Sequence, residues 1–423
     1  MARSLCLLAL AALSLAGAPD ALGQIWIVDR SGGAGSHFAE IQPAIDAATD
    51  GDLILVRPIE SIFSYPLGYA GFVVDGKSLT ISVDRSGDQV LVGQEFSWVP
   101  AAIVVRNVSA QQRFVLRGFT QKAGAAGDDG IRVESCDGPV LLEQSTFATH
   151  GGAAIHVADS ASVFLAHCKT GDSTAYDDFA DLGGLGYGLF AERSTVYAYT
   201  CTITGGSGAV MPFSAHPTDG AAGVVLDGGL AFLARCTVAG GWGGLSISGP
   251  GCEPGGDAGD GAIVQGGGAL EAFVSTFSGG FLGSGCPQGA AGTPVLVLDG
   301  TYEPLSGVGH DLIFDSPVYG GGVLKGTLSG KPGEVSFLVI SSSLSPLALP
   351  GIPGVLAPAL PAIVASTGVI ASGFVPISVA VPPLTGFAQL HVQSLCMDPS
   401  GAGPNFLGSP TVVLLVDSVL TPP

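Results

Sequence analysis

Charge is scarce in this chain. Only 12% of its 423 residues are charged, about half the usual share of a globular protein, which excludes a coiled coil and a highly charged disordered tail. Cations are scarcer still: 15 Lys+Arg stand against 35 Asp+Glu, a net charge of −20, and only Lys325 and Lys331 follow Arg235. Such a surface repels a phosphate backbone, so nucleic acid is not an expected partner. Aromatic residues make up 7%, while 66 glycines and 28 prolines argue against long helices. The 47% of hydrophobic residues are nonetheless enough to build a large core.

A long uninterrupted apolar run is also missing after the first residues. Residues 1–23 read as a secretory signal, with Arg3 as the positive start, an apolar run from Leu5 to Leu15, and Ala21-Leu22-Gly23 before a mature start at Gln24. The expected location is therefore secreted, extracellular or cell-envelope. No Asp, Glu, Lys or Arg occurs from Val335 to Met397, but prolines 346, 350, 353, 358, 361, 376, 382 and 383 interrupt that stretch. No piece of it supplies the roughly 20 residues of a spanning helix; it reads as short strands and turns.

An imperfect repeat fills the middle of the chain. Five segments align: Asp129-Gly130-Ile131-Arg132-Val133 with Val140-Leu141-Leu142 and Ser145; Ala154 to Val157 with Val163 to Leu165 and Cys168; Gly188 to Ala191 with Cys201; Val224 to Leu226 with Cys236; and Ala262 to Val264 with Ser275. Each is a set of short strands too small to enclose a core, so the segments must stack in parallel as a solenoid. Stacking turns Ser145, Cys168, Cys201, Cys236 and Ser275 into an interior ladder, flanked by Leu142, Leu165, Ala198, Leu233 and Ala272. The ladder spacings of 23, 33, 35 and 39 residues differ because Gly/Asp-rich insertions follow the last strand of each repeat. They are expected to emerge as a file of long loops along one edge, where a binding surface is most often built.

The front end narrows the fold. Phe38 to Ala48, then Gly51 to Val56 and Lys77 to Ile81, resembles the start of right-handed parallel β-helices of the pectin-lyase-like superfamily, in which a short amphipathic helix, here with Ile41, Ile45 and Ala48, caps the first coil. The resemblance covers residues 24–305 and implies a fold rather than an activity. Residues 306–423 lack the repeat and read as a small antiparallel β-sandwich, which would cover the last coil or present the protein to a surface.

Several groups could carry chemistry. Asp128, Asp129 and His150 resemble the acid pair and histidine of polygalacturonase-type hydrolases, but Thr149-His150-Gly151-Gly152 stands where the next paired carboxylate is needed. Structural turn residues are the other reading. Arg132 and His156 share an outward column, as a lyase base would, or as any solvated strand would. Asp172, Asp177, Asp178 and Asp181 are candidates for calcium, or simply an acidic loop; Gly255 to Gly261 is a single copy of a glycine-rich calcium-like run. No cofactor is otherwise required. Tyr176, Tyr187, Phe213, Trp242 and Phe281 lie in the insertions and could stack on sugar rings or pack under their own loops. Cys252 and Cys286 are expected to form a disulfide, while Cys168, Cys201 and Cys236 read as buried thiols and Cys136 and Cys396 stay unassigned. The resulting expectation is a non-catalytic module that binds glycan or a cell-surface protein along the loop edge. A calcium-assisted polysaccharide lyase or glycoside hydrolase, and a purely structural spacer, are the alternatives.

Overall fold

The computed structural model describes residues 23–59, 68–93, 103–122, 129–148, 151–171, 186–208, 217–245, 254–350, 352–400 and 406–417. These form a parallel β-helix with a short capping helix and, after it, a β-sandwich. Each coil presents three faces. The first runs from Phe72–Asp75 through Ile103–Arg106, Ile131–Glu134 and Ile155–Ala158 to Ala262–Gln265 and Val295–Val297. The second runs from Ile25–Val28 and Leu53–Val56 through Phe114–Arg117, Val140–Glu143 and Val163–Ala166 to Gly268–Phe273 and Gly300–Leu305. In two coils the long strands Leu189–Tyr199 and Val224–Ala234 serve both faces. The third face is a narrower sheet of seven strands, from Val90–Val92 to Thr276–Ser278.

Period-2 alternation fixes which side chains point inward: Ile131 and Val133 are buried while Arg132 between them is exposed. The corner between second and third faces is made by one residue per coil at positive φ, namely Gly118, Gln144, His167, Thr200, Arg235 and Val274. A single residue in this conformation turns the chain sharply and sends the next one inside. That next residue is the Ser/Cys ladder: Ser145, Cys168, Cys201 and Cys236 are buried, and Cys168 Sγ donates to Leu142 O at 3.3 Å. Burial pushes the Cys168 and Cys201 thiols well above their ordinary pKa, as inert packing groups require. At the front, Ile41–Ala47 is helical and buries Ile41, Ala44 and Ile45 over the first coil. Lys77 Nζ donates to the carbonyls of Ile45, Asp46 and Ala48 at its C-terminal end, where a cation is favoured.

The parallel stacking of the β-helix ends with Gly300–Leu305, and from Asp311–Phe314 onward the pairing is antiparallel apart from Val318–Tyr319, which runs parallel to Thr411–Val416. One sheet holds Asp311–Phe314, Val323–Ser329 and Phe374–Ala380; the other holds Ile363–Val369, Val335–Ser341, Phe387–Met397, Thr411–Val416 and Val318–Tyr319. The proline-broken apolar stretch thus forms strands, and no helix among the described residues is long and apolar enough to cross a membrane.

The sandwich does not cover the last coil, where Val297 and Leu298 are exposed. It lies lengthwise on the second face. Outward Leu53, Leu55, Val115, Leu141, Phe164, Tyr199, Phe232 and Phe273 pack against Leu344, Val355, Ala357, Val412, Leu414 and Val416. A buried ion pair sits in this interface. Arg117 and Glu143 are 3.8 Å apart, Arg117 Nη2 donates to Phe314 O at 2.8 Å, and Glu143 accepts from Thr411 Oγ1 and from Val412 N–H. Docking there takes the outward apolar side chains of the second face out of water.

Among the described residues Cys136, Cys168, Cys201, Cys236 and Cys396 are free thiols, and no disulfide joins two of them. Cys286 is disulfide-bonded, and its expected partner Cys252 lies outside the described residues.

Candidate functional site

The insertions are not a file of independent loops. In the described parts, residues 205–208, 217–223, 240–245, 254–261 and 279–294 hydrogen-bond to one another as a packed ledge beside the third face. Segment 240–244 shows the rule. Gly240 and Gly243 donate to Ser278 and Phe281 of the next coil, Gly241 and Gly244 donate to Ala221 and Thr218, and Gly256 and Gly259 donate to Gly244 and Gly241. Every neighbour is met at a three-residue spacing, the period of an extended polyproline-II-type helix, whose backbone groups are free to bond outward.

Glycine is needed here for close approach, not for its dihedral freedom. Gly240, Gly241 and Gly243 are not at positive φ, yet a Cβ on each would meet a backbone oxygen at 1.9 to 2.0 Å. The acidic residues of the ledge bond to backbone. Asp219 Oδ1 accepts from Asp257 N–H, Asp257 Oδ1 from Ala290 N–H, and Asp260 Oδ1 from Thr293 N–H, at 2.6 to 2.7 Å. In the glycine-rich run at 255–261 the two aspartates thus bridge adjacent segments.

At the outer edge of the ledge Trp242 and Phe281, 61% and 72% exposed, meet edge to face with ring centroids 5.5 Å apart. Exposed Leu245 and Leu282 follow them in the same two segments. Backbone bonds from Gly243 to Phe281 O and from Gly208 to Trp242 O fix the two aromatic residues from adjacent coils.

A second group lies on the first face at the foot of the insertions. His156 Nδ1 and Asp129 Oδ2 are 2.8 Å apart, and Asp129 Oδ1 accepts from Ala153 N–H at 2.7 Å. Burial alone would raise the Asp129 pKa, but these hydrogen bonds outweigh it and hold the carboxyl below its usual range. His156 Nε2 is buried with no hydrogen-bond partner among the described residues. The imidazole lies 5.0 Å from the Phe190 ring, which lies 5.7 Å from Tyr187. Arg132 is the register neighbour of His156 but turns to Glu134 at 2.9 Å.

Of the sequence candidates, the structure brings together Asp129, His156 and Tyr187, and separately Trp242 and Phe281. Asp128, His150, Tyr176, Phe213 and the acidic set Asp172, Asp177, Asp178 and Asp181 lie outside the described residues. Phe190 was missed, although it holds the same outward column as Arg132 and His156 and that alignment could have found it. Leu245 and Leu282 were missed because single leucines in a glycine-rich run carry no periodic signal.

No family model matches the chain, and no curated protein matches it. Two solved structures are similar. The enzymatically active domain of tailspike protein 2 of bacteriophage CBA120 is 10% identical, over 89% of this chain and 67% of its own, with a TM-score of 0.23. The full-length tailspike protein 2 of an Escherichia coli O157:H7 bacteriophage is 10% identical, over 89% and 60%, with a TM-score of 0.20. At these scores neither likeness bears on what this chain does.

Proposed function

We propose that this chain is an exported module that binds a neutral glycan along the ledge, with Trp242 and Phe281 as its contact surface. One observation carries the reading: two large aromatic side chains stay in solvent although the ledge holds their backbones rigidly from both sides. Flat apolar faces held in place stack on sugar rings with little ordering cost. The net charge of −20 disfavours polyanionic sugars. Export rests on residues 1–23; cleavage before Gln24 would leave an ammonium group where Gln24 N lies 2.6 Å from the buried Asp52 carboxylate.

A second reading has an observation of its own. Asp129 orients His156 as an acid orients a general base, and an aromatic wall stands beside the ring, so hydrolysis or elimination on a bound glycan is the alternative. A neutral-glycan array, run beside reducing-sugar and unsaturated-product assays with and without calcium, separates them. Binding without turnover, weakened roughly tenfold or more by Trp242→Ala (about 1.4 kcal/mol), is the expected result. Turnover abolished by His156→Ala would replace this reading with the enzymatic one.

A further inference from the structure

The C-terminal sandwich contains a separate cluster of chemistry-bearing groups. His310 precedes the strand Asp311–Phe314, Glu334 precedes Val335–Ser341, and Cys396 stands near the end of Phe387–Met397. All three are buried, and their ligand atoms lie within 4.8 Å of one another. His310 Nδ1 is 3.5 Å from Glu334 Oε2, which the Lys331 N–H holds in place at 2.9 Å. Gly330 leaves the imidazole room: a Cβ there would lie 2.6 Å from His310 Nδ1.

We propose that His310, Glu334 and Cys396 form a zinc-binding site that ties together strands of both sheets of the sandwich. An imidazole nitrogen, a carboxylate oxygen and a thiolate sulfur are the three donor types zinc takes, and a water molecule would complete a tetrahedral set. Calcium and magnesium, which bind through oxygen, do not fit a thiol in the ligand set. The setting supports the choice. Leu312, Leu338, Ile370 and Val392 share an apolar core with Cys396, and a cation held by the three donors would offset the cost of charging them in such surroundings. Burial accordingly pushes the Cys396 thiol up to about 12, the His310 imidazole down to about 4, and the Glu334 carboxyl upward. A bound cation must displace the thiol proton, which favours a metal with strong thiolate bonds.

The full chain, stripped of metal with a chelator, is titrated with cobalt(II) as a visible stand-in for zinc. The expected result is one equivalent of tight cobalt, thiolate-to-cobalt charge-transfer absorption with tetrahedral ligand-field bands, and displacement by zinc with a rise in melting temperature. Cys396→Ser removes the charge-transfer band, and Glu334→Gln weakens cobalt binding by roughly tenfold or more. Absence of that band in the wild-type protein overturns the proposal, as does a band that survives Cys396→Ser. If that variant does not fold, the wild-type spectrum and Glu334→Gln decide, and unchanged affinity in the latter is contradictory.

Discussion

Gly241 has a neighbour on every side: its N–H bonds to Ala221 O, its carbonyl accepts from Gly259, and an added Cβ would sit 1.9 Å from Gly206 O. Backbone cannot yield as a flexible side chain can, so Gly241→Ala is expected to destabilise the protein by about 1–3 kcal/mol, read from the urea midpoint. A neutral result would mean that the segments are not packed together. The abundance of glycine was plain in the sequence, but its meaning was not. Gly-rich insertions read as loops because bonds at three-residue spacing between segments dozens of residues apart leave no local pattern. Corner residues such as Gln144, His167 and Arg235 were equally silent, since nothing in their chemistry calls for positive φ.

At the scale of elements, the repeat was legible because equivalent side chains stack on each other in the solenoid. Aligning Ser145 with Cys168, Cys201 and Cys236 placed the interior ladder. The sandwich was expected over the last coil and docks instead along the second face, for which a signal existed. The second-face strands Leu53–Val56, Val140–Glu143 and Val163–Ala166 are buried at every position, as strands covered on both sides are. The ion pair between Arg117 and Glu143 pins that contact. Glu143→Gln leaves Arg117 buried without its counter-charge and is expected to cost about 3–5 kcal/mol in denaturant unfolding. A loss under about 1 kcal/mol, the range of a solvated pair, would contradict a dry interface.

The whole molecule is a column with two attachments: a sandwich along its second face and a glycine ledge beside its third. The column was legible from sequence, since stacking demands it; the attachments were not, because each depends on contacts between distant parts of the chain. The binding proposal needs the ledge to be as rigid as the column, for only then are Trp242 and Phe281 held ready in solvent. Native-state hydrogen exchange tests this most directly. The amides of Gly206, Gly208, Gly241, Gly243, Gly244, Gly259, Gly280 and Gly283, all bonded to carbonyls of other segments, should be protected to the extent of those in the strand Thr237–Ala239. Exchange of these glycines at the rate of an unstructured peptide, beside a protected column, would contradict the account.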